Sequence, residues 1–267
     1  MPNVQFTDPH WKDFLKEAGY ANFDSWWNAK KNLVEVGNFR GPDANTSWSH
    51  VSKLSLPEDR SVYVKRQQNH YPNNIILKHR RLATFEIEWG NYQLLKKAGI
   101  PTLNIIYFES RKVGGDKQCI LVSEELSGMN PIHKLVKWYK KNTWPKREQR
   151  KAILIAIAQV IKKMHAAGLS HNALYGRHIY LNIPFEDGSP KMPNKLEVRL
   201  IDLERTKSPG PKSPKLITND LEKMFRRIPQ WPARDCIWFL KEYLGIDKLT
   251  PRAKEIIRQI APSRTKT

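Results

Sequence analysis

The chain has 267 residues, enough for one large domain or for two lobes sharing a cleft. Lys plus Arg number 46 against 26 Asp plus Glu, a net charge of +20, which favours an anionic partner: nucleic acid, a membrane surface, or a phosphorylated or carboxylated glycan. An apolar content of 40% excludes a wholly disordered chain, and the N-terminus has no uninterrupted apolar stretch of the signal-peptide kind. The longest apolar run, Ala152 to Ile161, is too short to span a bilayer and is interrupted by Gln159, so a cytoplasmic protein is expected.

In chain order, Asp8-Pro9 reads as a cap and first helical position, with a helix to about Ala18 ended by Gly19. Asp24 predicts the cap of a second short helix holding Trp26 and Trp27, whose rings are expected to pack under a lobe. Residues 34–39, 48–56 and 61–67 read as a β-meander, broken by Gly41-Pro42-Asp43 and Pro57-Glu58-Asp59. The turn over 41–47 has one Gly and no G-x-G-x-x-G, so it reads as a plain hairpin loop. In the third strand Val62 and Val64 share one face, and Tyr63 and Lys65 the other. A helix over 81–97, stopped by Gly99 and Pro101, carries two acids able to meet Lys65: Glu88 first, Glu86 as the alternate. Strands over 103–109 and 118–123, joined at Gly114-Gly115-Asp116, run into a polar connector at 124–128.

Beyond it the chain turns helical. Residues 131–151 interleave eight Lys and Arg with Trp138, Tyr139 and Trp144, which fits equally a solvated helix face or docking on anionic headgroups or phosphorylated sugars. No helix-turn-helix, zinc-finger or RNP-type motif supports specific nucleic-acid binding. A buried helix follows over 151–166, then a loop projecting His171 and His178, then a β-branched strand ending on Asp202. A Pro- and Lys-rich loop (208–215), a helix starting near Asn219-Asp220, a last amphipathic piece over 233–243 and a frayed basic tail complete the chain. Cys119 and Cys236 sit in no metal-type spacing and are expected as buried apolar fillers in a reducing compartment.

The order strand Lys65, helix Glu88, connector, His-bearing loop and strand-end Asp202 is the layout of an α+β, two-lobed protein-kinase-like fold. Its β-rich N-lobe, with one main helix, would cover about 1–123, its hinge 124–128, and its mostly helical C-lobe about 129–267. More closely, the sequence resembles the lipopolysaccharide kinase (Kdo/WaaP) family, in particular its InaA-like branch. The stretches that carry this are FDSWWNAK, VYVKR, LLKKAG, LVSEELSG, IKKMH, HNALYGRHIYL and LIDLER. The resemblance implies ATP-dependent phosphorylation of a sugar hydroxyl of lipopolysaccharide core, or of a related anionic glycolipid, with peripheral contact at an anionic inner-membrane surface. It implies that Lys65, oriented by Glu88, holds the nucleotide phosphates, and that backbone groups near Glu124 and Leu126 hold the adenine. Asp202 would bind Mg²⁺ with His178 beside it, in the place of the usual loop Asn, and Asp220 would brace the loop. The same alignment puts Ala173 where kinases carry the catalytic Asp. Three consequences follow from that departure: a substitute base (His171, Glu204 or the substrate itself), a slow kinase, or a pseudokinase with a scaffolding or stress-response role.

Overall fold

The computed structural model describes residues 4–30, 32–39, 46–72, 82–142, 145–207, 214–226 and 232–260. Two compact units are present, Met1–Gly90 with Leu103–Glu125, and Asn91–Thr102 with Leu126–Thr267.

The first unit is built on an antiparallel sheet of six strands: β1 (Val4–Thr7), β2 (Leu33–Phe39), β3 (Trp48–Ser55), β4 (Ser61–Gln68), β5 (Ile105–Val113) and β6 (Asp116–Glu124). Their order is β1-β5-β6-β4-β3-β2. Two short helices, α1 (Lys12–Glu17) and α2 (Phe23–Asn28), precede β2, and α3 (Thr84–Lys97) precedes β5. The pleat of β4 sorts its side chains strictly by parity. Val62 and Val64 join Leu15, Phe23 and Trp26 in an apolar core. Lys65 and Gln67 instead face α3, where the Gln67 amide oxygen accepts from the Phe85 N–H at 3.2 Å and satisfies one of the open donors of the helix start. Trp89 of α3 stacks on Phe108, ring centroids 5.0 Å apart, and so seats the helix on the sheet.

Arg66 is fully buried among these apolar groups. Its guanidinium donates to the carbonyls of Trp26 (2.8 Å) and Ala29 (3.0 Å) and to Ser52 Oγ (3.1 Å). Two of these acceptors are orphan carbonyls at the C-terminal end of α2, where a cation also complements the helix dipole. Burial lowers the Arg66 pKa.

The second unit centres on α5 (Arg147–Ala166), which buries Ile153, Leu154, Ile157, Ile161 and Met164. It packs on α7 (Cys236–Leu244). A buried ion pair, Arg150 Nε to Asp235 Oδ2 at 2.5 Å, fixes the start of α5. Before it lies α4 (Ile132–Asn142), and after it α6 (Pro214–Arg226) and α8 (Pro251–Ile260). A small antiparallel sheet, β11 (Val198–Leu200), β8 (Ile179–Leu181) and β7 (Asn130–Pro131), and a minimal hairpin of β9 (Phe185–Glu186) and β10 (Ser189–Pro190) complete it.

Several boundaries differ from expectation. Asp8 makes a turn, accepting from the His10 N–H at 2.9 Å, and α1 begins only at Lys12. Asn22, not Asp24, caps α2, in a reciprocal box with Ser25; Asp24 pairs with Arg111. The buried helix starts at Arg147, because Lys146 is its cap, so the basic 131–151 stretch is two helices. The strand before Asp202 ends at Leu200, α6 begins at Pro214, and α8 extends the helical part beyond Tyr243. β1, whose partner β5 lies about 100 residues on, was not expected. Trp26 and Trp27 pack on the core, and both cysteines are buried, the Cys119 thiol pushed up to about 12 by burial. The 41–47 turn, the 208–215 loop and the tail lie wholly or largely outside the described residues. No helix among the described residues is long and apolar enough to cross a membrane.

Arg66→Met should cost at least ~3 kcal/mol in urea denaturation, since it strands three buried acceptors and each bond to a charged donor is worth ~1.5–3 kcal/mol. Arg66→Lys should recover only part, because an ammonium cannot span the three acceptors. A loss below ~1 kcal/mol for the Met variant would show that the cap contributes little.

Candidate functional site

In the first unit, the outward parity of β4 and the helical face of α3 bring Lys65 and Glu88 together. Lys65 Nζ lies 2.7 Å from Oε1 and 2.9 Å from Oε2 of Glu88. Glu88 is 2% exposed, so its carboxylate depends on that ammonium, while the Lys65 side chain keeps 17% exposure. Glu86 is engaged elsewhere: it binds Lys117 at 2.7 Å and accepts from Ser110 Oγ and the Ala83 N–H. Glu124 ends β6 opposite Val62. Its N–H donates to the Asn104 carbonyl at 3.0 Å, and its carboxylate accepts from the Asn104 amide.

In the second unit, Leu126 is half-buried and its carbonyl accepts from the Met129 N–H at 3.1 Å. The loop after α5 is held by one carboxylate. Asp220 of α6, with no exposed surface, accepts from the His171 N–H at 2.6 Å and the Asn172 N–H at 2.7 Å. His165 Nε2 stands 3.3 Å from the same carboxylate, with its Nδ1 2.8 Å from the Tyr243 hydroxyl. Lys223, one turn along α6, donates to the Asn172 carbonyl at 2.6 Å. Asn172 is thus gripped on both sides of its peptide, in a left-handed conformation with φ 58°.

His171 is buried completely, its Nε2–H directed at the Ile201 carbonyl at 3.0 Å and its ring stacked on His178 with centroids 5.9 Å apart. Burial, first of all, lowers its pKa, with the neighbouring His178 adding to the effect. Ala173 is buried, and its carbonyl receives His178 Nδ1–H at 2.7 Å. His178 Nε2 faces the Arg177 Nε–H at 2.8 Å and Asp202 Oδ2 at 3.0 Å. Asp202 itself is left-handed, φ 62°, with its side chain 34% exposed. Asn91, within the second unit, donates to the carbonyls of Leu203 (2.7 Å) and Thr206 (3.0 Å) and fixes the turn that follows Asp202.

The donor set at Asp202 tests the fit of a metal. Among the described residues no three His, Cys, Asp or Glu converge as a closed metal cage. One carboxylate with one imidazole beside it suits Mg²⁺ only in its usual mode, completed by phosphate oxygens and water. Within that limit the residues fit a metal that arrives with a nucleotide.

The sequence model of the lipopolysaccharide kinase (Kdo/WaaP) family matches residues 24–243. The chain belongs to this family. It is 28% identical over 218 residues to Protein InaA of Escherichia coli (strain K12), spanning 80% of this chain and 92% of that protein. Its fold is shared with the solved structure "WaaP in complex with acyl carrier protein", with a TM-score of 0.67 at 19% identity, covering 99% of this chain and 95% of that one. This agrees with the expected protein-kinase-like fold. All the groups above from Lys65 to Asp220 lie inside the stretch matched to the lipopolysaccharide kinase family. Sequence reasoning missed His165, Tyr243, Lys223, Arg177 and Asn91. Only His165, on the last turn of an apolar helix just before the loop, offered a local signal.

Two measurements test this site. Asp220→Ala should remove ~2–3 kcal/mol from local opening and speed amide exchange at His171 and Asn172 about 30- to 160-fold, with Asp220→Asn in between. Unchanged protection would show that the loop is held by other contacts. The lowered pKa of His171 makes the unfolded chain bind protons that the folded chain refuses. The stability this group contributes is therefore full above the ordinary His value of ~6.5 and is lost as pH falls through its lower folded value. His171→Gln should flatten the stability–pH curve between pH ~7.5 and ~5, though His133, also lowered, keeps part of the slope.

Proposed function

We propose that this chain is an ATP-dependent phosphotransferase acting on a sugar hydroxyl of lipopolysaccharide core or of a related anionic glycolipid, met at the cytoplasmic membrane face. The observation that carries the reading is the Lys65–Glu88 pair: a lysine held by both oxygens of a buried carboxylate, in a chain of the lipopolysaccharide kinase family. Bound Mg-ATP would supply the γ-phosphoryl group and the metal charge that neutralises its oxygens. Lys65 would bind phosphate oxygens, with Glu88 keeping the ammonium in place. Asp202 would hold the metal, with His178 set beside it by the Ala173 carbonyl. Backbone groups near Glu124 and Leu126 would take the adenine. His171 and Asp220 would position the loop rather than touch the reacting atoms, since the His171 ring is wholly buried and its Nε2–H is spent on Ile201.

Ala173 supports a second reading, a pseudokinase that binds nucleotide with little turnover. Its methyl group cannot accept or orient the proton of the acceptor hydroxyl. A loose transition state asks little of a base, so this loss alone does not remove phosphoryl transfer.

Calorimetric titration should show Mg-ATP binding to the wild type, a loss of the Mg²⁺ dependence in Asp202→Ala, and at least tenfold weaker binding in Lys65→Ala. A wild-type chain that does not bind Mg-ATP would sink the reading. Ala173→Asp should raise transfer of labelled γ-phosphate to extracted core oligosaccharide by ~10²-fold or more if the chain is a slow kinase. No transfer by either protein, with nucleotide still bound, would establish the second reading.

A further inference from the structure

The first turn of α4 lies directly on the short turn Gly176–His178. A methyl group at Gly176 would stand 3.2 Å from Ile132 Cγ2 and 3.4 Å from His133 Cβ, so the approach depends on glycine at that position. The His133 side chain lies against the Gly176 backbone. Its Nδ1 is buried without a hydrogen-bond partner. Lys137, one turn further on, shares this face of α4. Arg177 extends from the other side, tied by its Nε–H to His178 Nε2 and hence one side chain away from Asp202.

The result is a group of cations, with the Asp202 carboxylate at the same His178 nitrogen that Arg177 meets. Lys137 and Arg177 are both exposed, and among the described residues neither is ion-paired with a carboxylate, unlike Lys53, Lys65, Lys117 and Arg150. The cations are close enough to act on one another. After burial, it is Lys137, followed by Arg177 and His178, that disfavours a proton on His133. Lys134, by contrast, is turned to the Phe185 ring (4.6 Å) and bonded to Asn130, so of these two α4 lysines it is Lys137 that stays open.

We propose that Lys137 and Arg177, the two exposed cations beside His133, form a subsite for an anionic group, phosphate or carboxylate, already carried by the acceptor sugar. The acceptor would bind by that anion and present a neighbouring hydroxyl at the Asp202 end of the loop. Arg177 offers a planar fork and Lys137 a point charge, a pairing suited to a tetrahedral or planar oxyanion. The net charge of +20 would draw such a ligand in, and the subsite would select it. The proposal deepens the phosphotransferase reading and rests on it for the role of Asp202.

The test uses the full chain, titrated calorimetrically with a hexose 6-phosphate, the uncharged hexose, Mg-ATP and phosphatidylglycerol vesicles. The wild type should bind the hexose phosphate at least tenfold more tightly than the hexose. Lys137→Glu and Arg177→Met, both at exposed positions, should each remove that preference. Lys137→Glu should leave Mg-ATP affinity within twofold, and Lys134→Glu should change sugar-phosphate binding by less than twofold. Equal affinity for the two sugars would overturn the proposal. So would an equal loss in Lys134→Glu, which would mean net charge alone, or a loss confined to vesicle binding, which would assign the face to a membrane surface. If Mg-ATP fails to bind while the sugar results hold, the kinase reading falls and the anion subsite stands.

Discussion

The loop that carries His171 to His178 has its shape because a carboxylate without access to water must be satisfied by what surrounds it. Removing Asp220 from solvent costs several kcal/mol, and two backbone N–H groups and an imidazole repay that cost only if the loop runs where it does. Lys223, on the same helix, completes the grip from the carbonyl side of Asn172. Between them the two α6 residues hold Asn172 in a left-handed conformation that a free peptide would seldom adopt. The turn this creates aims the Ala173 carbonyl at His178, and His178 in turn meets Asp202. The placement of His178 beside Asp202 therefore follows from a buried acid elsewhere in the second unit.

The first unit rests on a comparable constraint, the parity of β4. Two consecutive cations leave opposite faces of the strand. Lys65 meets a carboxylate, and Arg66 meets helix-end carbonyls. A one-residue slip in register would exchange them, sending an ammonium into the apolar core and a guanidinium to Glu88. The pairing of Lys65 with Leu121 on β6 and Val51 on β3 holds the register from both sides.

What could be read in advance follows from the range of the interactions. Strand alternation around Lys65 and the helical spacing that offers Glu88 are local signals, and so is the apolar run that leads to Asp202. Membership of the lipopolysaccharide kinase family was legible for the same reason, in short contiguous stretches. Helix starts were read less well. Asp24 has the right chemistry for a cap, but Asn22 and Ser25 form the reciprocal box, and competition between neighbouring candidates is settled by backbone geometry. The Tyr243–His165–Asp220 chain joins residues 55 and 78 positions apart, which no periodicity reports. Arg66 was hidden for another reason: a buried arginine satisfied by carbonyls alone leaves no acidic partner in the sequence to look for.

The first strand brings a matter of timing. β1 pairs Val4–Thr7 with Tyr107–Ser110, so its hydrogen-bond partners are synthesised about 100 residues later. At a translation rate of about 5–20 residues per second, that is a wait of roughly 5–20 s. During it, β2, β3 and β4 can already pair as a contiguous meander, while Val4 and Phe6 have no strand to join. The N-terminal edge of the sheet therefore cannot close on a ribosome until β5 has emerged, whereas the β5–β6 and β4–β6 pairings wait for the still later β6.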